Sequence, residues 1–287
     1  MKYAFIEANR LAFSVTMMVR TLGVSRSGFN AWSRRVSNPH QHEARESFDQ
    51  AVRAVFYAHK GRYGAPRVAK ELHEMGTACD RKTVASSLRR QGLRARAARK
   101  FKATTNSKHN LAVAPNVLEQ DFTASTPNHK WVSDITYLPT DEGWLYLATV
   151  IDLYSRQVVG WAMDKRMPAR LVCDALEMAL WRRKRPTAVI VHSDRGSQYC
   201  SHAYQRLIEQ HKLRCSMSKR GDCYDNSCAE SFFHTLKVEL THGVRYESRE
   251  QLRREVFEYI ETYYNTVRRH STIGYISPAA FEALEVA

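Results

Sequence analysis

Three acidic residues in the 287-residue chain stand where acids are uncommon. Asp134 sits in the middle of WVSDITYL among apolar or small neighbours, where an uncompensated charge costs on the order of several kcal/mol. Asp194 follows the apolar run AVIVH in VIVHSDRGSQY, and Glu230 opens the segment AESFFHTLKVEL. Between Asp134 and Asp194 lie 59 residues, and between Asp194 and Glu230 lie 35. Hard divalent cations take several oxygen ligands, and phosphoryl transfer commonly uses two of them about 3.5–4 Å apart, one on the attacking and one on the leaving oxygen. Two strand aspartates and a helix glutamate can supply such a clamp. Taken singly, each has a plainer explanation: a paired buried acid, a turn or cap, and a first-turn glutamate favoured by the helix dipole.

The elements that would position these side chains follow from periodicity. Alternation and β-branched or aromatic enrichment predict strands over Trp131–Leu138, Gly143–Leu153 and Gln157–Met163, the last two joined at Tyr154-Ser155-Arg156. Helical spacing of Leu171, Val172, Ala175, Leu176, Ala179 and Leu180 predicts a helix over Arg170–Arg183. A buried strand Ala188–His192, a helix His202–His211, a strand Arg214–Ser218 and a helix Ser227–Thr241 complete the order βββαβαβα. Crossovers in the second half imply parallel pairing, hence an α/β fold with a mixed sheet flanked by helices. Asp194 then lies at the carboxyl edge of the sheet, where such folds place ligands. A last helix, Arg249 to about Thr266, carries a broad apolar face and leads into Tyr264-Asn265-Thr266 and Arg268-Arg269-His270.

The first part of the chain is different. Residues 1–128 hold 22 Lys and Arg against 9 Asp and Glu, whereas residues 129–287 hold 22 against 20. Such asymmetry is the footprint of a polyanionic partner, because each cation placed on a phosphate releases a condensed counterion. Ser14–Arg35 has the pattern of a helix-turn-helix, with Gly23 in the turn, Ser25 as an N-cap, and Arg26 on the early turns that face a major groove. A second helical unit begins near Ser47 with the stripe Phe48, Val52, Val55, Phe56. It continues through Arg62-Tyr63-Gly64, a helix Ala65–Met75 and a helix capped by Asp80 through Arg90. Arg81, Lys82, Arg94, Arg96, Arg99 and Lys100 decorate or follow that last helix as a basic strap and are candidate DNA contacts. Periodicity fades over 103–128, between Ala103 and Asn128. The expected organisation is therefore a helix-turn-helix-like segment 1–42, a basic helical DNA-binding domain 43–102, a linker 103–128 and an α/β core 129–287.

Composition narrows the classes further. At 44% hydrophobic and 25% charged residues the chain reads as globular rather than disordered or fibrous. Its longest nearly apolar run, Trp144–Ile151, falls far short of the roughly 18 residues a membrane span needs. Glu7 and Arg10 interrupt any signal-peptide reading of the start. Six cysteines without a CxxC pair signal neither a zinc site nor a disulfide framework. A cytoplasmic protein is expected.

Five segments in order, WVSDITYL, VIDLYSRQVVGWAM, HSDRGSQY, GDCYDNSCAESFFHTLKVE and YNTVRRHSTIGYISPAAF, resemble the catalytic core of DDE transposases, in the retroviral-integrase superfamily. They are most similar to the second-frame (OrfB) products of bacterial insertion sequences, over roughly residues 45–285. The resemblance implies an RNase H-like core in which Asp134, Asp194 and Glu230 form a DD(35)E triad holding two Mg²⁺ or Mn²⁺ ions. It implies hydrolytic nicking at element ends, followed by attack of the freed 3′-hydroxyl on another phosphodiester. Lys237 matches the basic residue seven positions after the family glutamate; at 3.6 residues per turn it shares that face and would reach a phosphate. His192 and Asn226, with Ser193, Gly196, Gln198 and Asp225, match motifs that shape the site, and Phe233 and His234 lie on the Lys237 side. Asp152 matches a family motif, with hairpin capping an equal reading. The family's closing segment brings Arg268, Arg269 and His270 forward as candidate DNA contacts. Implied partners are double-stranded DNA (terminal repeats and target), an upstream-frame helix-turn-helix protein and further copies of the chain on DNA, with action at the nucleoid and no membrane. Two other functions stay open on the residues: a DNA-binding regulator with a structural acidic cluster, and a metal-dependent nuclease that does not join strands.

Overall fold

The computed structural model describes residues 1–36, 39–96, 112–219 and 223–284, which form two compact units, Met1–Ala95 and Arg96–Ala287.

In the first unit, α1 (Lys2–Asn9), α2 (Val15–Thr21) and α3 (Arg26–Val36) close around Ile6, Met18, Val19 and Phe29. The Ser14 hydroxyl caps α2 by accepting the Met17 N–H at 3.2 Å, and the Ser25 hydroxyl accepts the Gly28 N–H at 3.0 Å. Between them Gly23 takes φ 61°, the left-handed turn that a side chain would resist. α4 runs from Pro39 to Ala58, longer than the apolar stripe predicts. Its first two turns carry no such stripe, and proline is well suited to a first helical position, lacking an N–H that would go unused there. α5 (Ala65–Glu74) and α6 (Arg81–Arg90) follow, α6 capped by Asp80 Oδ1 accepting the Thr83 N–H at 2.8 Å.

The second unit is built on five strands: β1 (Lys130–Thr140), β2 (Gly143–Asp152), β3 (Val158–Asp164), β4 (Ile190–Ser193) and β5 (Arg214–Met217). Their order is β3-β2-β1-β4-β5, antiparallel through the first three and parallel through β1, β4 and β5. The expected mixed, helix-flanked sheet is therefore present, with the element order βββαβαβα. Pleating divides β1 between two cores. Trp131 joins the core of α7 (Ala169–Arg182) and α8 (His202–Gln210), whereas Val132 and Leu138 join that of α9 (Ser227–Leu236) and α10 (Arg249–Glu258). Both expected C-terminal helices change pitch: α9 continues as a π-turn Lys237–Thr241 and α10 as a π-turn Tyr259–Tyr264. α11 (Pro278–Ala283) ends the described chain.

Part of the stretch read as a linker is bound to this core. Leu118 is buried, and the Val117 and Leu118 N–H groups donate to the Ser216 hydroxyl of β5 at 2.9 and 3.1 Å. On the opposite edge of the sheet, Gly160 of β3 lies directly beneath α7. A methyl there would collide with the Ala175 carbonyl and with the backbone nitrogen and Cβ of Ala179. Gly160→Ala is expected to destabilise the second unit by about 1–3 kcal/mol, the cost of overpacking against backbone that cannot yield. Chemical denaturation monitored by tryptophan fluorescence would show an unchanged midpoint if the approach is looser than this.

Candidate active site

The sheet register brings the two aspartates together. Val132 of β1 pairs with His192 of β4 in parallel, so Asp134 and Asp194 each follow two residues beyond that pair, Asp134 within β1 and Asp194 just past the end of β4. With side chains alternating every residue, Asp134 shares the face of Val132, the one covered by α9. α9 is anchored there by buried Ala229, Phe232, Phe233 and Leu236, leaving Glu230 in its first turn on the exposed side. Asp134 accepts the Ile135 N–H and Asp194 the Gly196 N–H, both at 2.8 Å, so backbone donors steady both carboxylates.

The electrostatics tie the four groups into one neighbourhood. The Asp134 carboxyl is held well above the ordinary range, first by burial and then by the negative charge of Asp194, with Glu230 adding to it. The Ile135 N–H and the Lys237 ammonium act in the opposite direction. Partial burial also raises Glu230. Lys237 is lowered to about 8 by burial, against the pull of Asp134. Its Nζ lies 5.0 Å from the Tyr137 ring centroid. Repelling carboxylates with one nearby ammonium are what a cation site looks like before charge compensation.

Surrounding residues fix the strands and α9. Tyr199, absent from the sequence-based candidates, is fully buried with its hydroxyl 3.1 Å from Ser133 Oγ. Its phenol is pushed upward by burial and by Asp134 and Asp194. Nothing in its local pattern distinguishes it from a core tyrosine. His192, read as shaping the site, is buried between Ser216 Oγ (2.8 Å) and Ser218 Oγ (3.2 Å), and burial lowers it to about 4. It is therefore a neutral brace between β4 and β5. Asp225, in a 3₁₀ turn before α9, accepts the Asn116 and Gln120 amides at 3.0 Å and the Lys219 N–H at 2.6 Å. Asn226 donates to the Ser133 carbonyl at 3.4 Å, beside Asp134.

One expectation for the second unit changes, and of the two readings of Asp152 the structure shows the cap. Arg268 and Arg269 are not surface cations: both are buried. Arg268 makes a forked contact with Glu239 of the π-turn after α9, Nε at 3.0 and 2.9 Å and Nη2 at 2.8 Å, while the Tyr259 hydroxyl donates to Glu239 at 2.9 Å. Arg269 donates to the Tyr275 carbonyl at 2.9 Å. These guanidiniums close the core instead of meeting DNA. Asp152 caps the β2–β3 turn, accepting the Asn128 and Tyr154 N–H groups at 2.7 and 2.9 Å and the Trp131 indole N–H at 3.2 Å.

Of the candidate DNA contacts, Arg26 at the start of α3, Arg81 and Lys82 in the first turn of α6, and Arg94 are exposed. Arg96 is exposed but donates to the Glu239 carbonyl at 2.8 Å. Arg99 and Lys100 lie outside the described residues. His234 is exposed on α9 and Phe233 packs inward.

Among the described residues no group of three or more His, Cys, Asp or Glu is assembled closely enough to hold a metal ion. The donor set nonetheless fits a hard divalent cation in chemistry: oxygen ligands only, mutually repelling and partly desolvated. Two buried oxygens without a hydrogen-bond partner adjoin Asp134, namely Thr149 Oγ1, opposite it on β2, and Asn226 Oδ1. An open set of this kind needs Glu230, on a helix, to swing toward the strand aspartates.

Known proteins resemble the chain along nearly all its length. Models of the integrase core domain match residues 124–223 and 230–285, and a model of the HTH-like domain matches residues 43–101. Transposase InsF for insertion sequence IS3A of Escherichia coli (strain K12) is 57% identical over 283 residues, covering 98% of each chain. The insertion element IS600 uncharacterized 31 kDa protein of Shigella sonnei is 44% identical over 268 residues, covering 92% of this chain and 97% of that one. A chain in the simian T-cell lymphotropic virus intasome in complex with PP2A regulatory subunit B56 gamma is 15% identical, with a TM-score of 0.47, over 81% of this chain and 74% of that one.

Removing one partner of the buried Glu239–Arg268 pair leaves the other charge uncompensated. Arg268→Met is expected to cost about 3–5 kcal/mol in the second unit, and adding Glu239→Leu should recover a large part of it. Urea titrations of the two variants check this; a single variant as stable as the parent contradicts the buried pair.

Proposed function

The chain belongs to the bacterial insertion-sequence transposases that carry an integrase core domain, and from that premise we propose that it cuts DNA at the ends of its element and joins the freed 3′-hydroxyl to a second phosphodiester. The observation that supports this reading is that Asp194, Glu230 and Lys237 all act electrostatically on Asp134, in mid-β1 just beyond the level where β4 ends.

Asp134, Asp194 and Glu230 are the residues that would hold Mg²⁺ or Mn²⁺, two ions in the proposed state. When bound, such ions polarise the phosphodiester and favour ionisation of the attacking hydroxyl or water. The chain's own residues do the rest. The strand aspartates, each steadied by a backbone N–H, hold their oxygens on rigid elements, and Glu230 completes the set from α9. Lys237 is placed by its helix seven residues beyond Glu230 to donate to a phosphate oxygen, where a charged donor in a partly desolvated setting is worth more than on the open surface. His192 and Asn226 hold β4 and the start of α9 in place.

The helical segments 1–42 and 43–102 would carry the DNA-binding function, with Arg26, Arg81, Lys82, Arg94, Arg99 and Lys100 on phosphates of double-stranded terminal repeats; Arg96, engaged with Glu239, has the weakest claim among them. Copies of the chain would assemble on DNA with help from an upstream-frame helix-turn-helix protein, at the nucleoid in the bacterial cytoplasm. None of the helices among the described residues is long and apolar enough to cross a membrane.

Asp134→Asn and Glu230→Gln each remove one oxygen charge from the set and should lower end cleavage and joining by roughly 1000-fold or more, several kcal/mol of transition-state stabilisation. Binding to duplex DNA should stay within about threefold, since it rests on phosphate contacts elsewhere. Gel assays with labelled duplexes taken from the DNA flanking the chain's reading frame, with Mg²⁺ and with or without the upstream product, resolve cut from joined strands. Undiminished joining by either variant rejects the triad; cutting without joining by the parent protein assigns a nuclease instead.

A further inference from the structure

The face of the sheet that carries Asp134 also buries a hydroxyl that nothing satisfies. Thr149 of β2 pairs directly with Asp134 of β1 in the antiparallel register. Leu147 and Ile151, two residues to either side of it, lie with Val132 and Leu138 in the core under α9 and α10, so alternation turns Thr149 and Asp134 to the same side. Thr149 is 0% exposed, and its Oγ1 has no hydrogen-bond partner. A hydroxyl removed from water without a partner destabilises the fold, and valine has nearly the same shape and the same strand preference without that cost. The other residue opposite Thr149, Trp161 of β3, has its indole N–H committed to Glu261 at 2.6 Å. α9 contributes the apolar side chains of Ala229, Phe232, Phe233 and Leu236 to that core. Asp134 is the acceptor that the register offers. Directly opposed residues hold their Cβ atoms about 4.5–5.5 Å apart, so a small turn of either side chain brings hydroxyl and carboxylate together. Asp134 Oδ1 takes the Ile135 N–H at 2.8 Å, and a carboxylate has room for further donors.

We propose that Thr149 is a positioning residue for the cation site: with a divalent cation held, its hydroxyl donates to the Asp134 carboxylate and fixes the plane in which that carboxylate meets the metal. The inference rests on the strand-transfer reading and deepens it by naming a residue that acts through a ligand. Hydrogen bonds to ligating carboxylates orient them, and losing one weakens metal binding or activity about 10–100-fold. The hydroxyl is unsatisfied without metal and satisfied with it. Stability without metal and affinity for metal therefore respond in opposite directions when it is removed, which a residue serving only the fold would not produce.

The test titrates the full chain and its Thr149→Val, Thr149→Ser and Asp134→Asn variants with Mn²⁺ in the absence of DNA, reading free Mn²⁺ by electron paramagnetic resonance, and melts each protein with and without the metal. Thr149→Val should bind Mn²⁺ about 10–100-fold more weakly than the parent. Without metal it should unfold at the parent's midpoint or about 2–4 °C above it, since an unsatisfied buried hydroxyl has been removed. Thr149→Ser keeps the hydroxyl and should bind within about threefold of the parent. End cleavage by Thr149→Val should need correspondingly more Mn²⁺ to reach half its maximal rate. Parent-like Mn²⁺ affinity in Thr149→Val overturns the assignment and leaves the strand-transfer reading standing. So does a Val variant that melts below the parent without metal, which would make the hydroxyl part of the metal-free fold. A Ser variant as weak as Val also overturns it, by making the methyl group the part that matters. If Asp134→Asn leaves Mn²⁺ binding unchanged, the cation site and this inference fail together.

Discussion

Negative charges that repel one another in a partly desolvated pocket are the constraint around which the second unit is arranged. Left alone, Asp134, Asp194 and Glu230 would move apart or take up protons, and the upward shift of Asp134 registers that tension. The fold opposes it with parts that are costly to move: a central strand, its parallel neighbour, and a helix seated by two phenylalanines. Asp134 is held within β1 by its pairing with β2, and Asp194 follows directly on the last residue of β4. Glu230 has more freedom, being carried on a helix end and exposed. The natural resolution is a divalent cation shared among the three, and this is the premise of the proposed chemistry.

What braces the pocket is itself polar and buried. His192 stays neutral between two serines, and Asp225 gathers donors from the 116–120 segment and the end of β5 at the foot of α9. Beyond the other end of α9, Glu239 and Arg268 lock the π-turn that follows Lys237. Each network satisfies its own donors and acceptors, so each specifies one arrangement of the helix relative to the sheet. The catalytic proposal needs that single arrangement, because Glu230 and Lys237 reach the strands only from a helix fixed in both rotation and height.

Much of this was legible in the sequence, for identifiable reasons. The five strands and their helices announce themselves through periods of 2 and 3.6, and mid-strand Asp134 stood out because acids rarely lie among apolar neighbours. The expected βββαβαβα order and mixed sheet are present. Sequence reasoning stopped where distant segments decide the outcome. Arg268 and Arg269 follow an aromatic helix and read as surface cations, since the partner of Arg268, Glu239, lies 29 residues earlier on another helix. The pitch changes after α9 and α10 leave no mark on apolar spacing. The 112–128 stretch has no periodicity because its anchoring depends on single contacts, Leu118 in the core and N–H groups on Ser216. Tyr199 looks like any core tyrosine until the fold places it beside two carboxylates.

The most direct measurement is anomalous diffraction at the manganese edge from crystals of the full chain grown with Mn²⁺. The account predicts anomalous density within about 2.5 Å of carboxylate oxygens from all three of Asp134, Asp194 and Glu230. It would be contradicted by an ordered structure in saturating Mn²⁺ with no density at those oxygens, or with density that Glu230 does not reach.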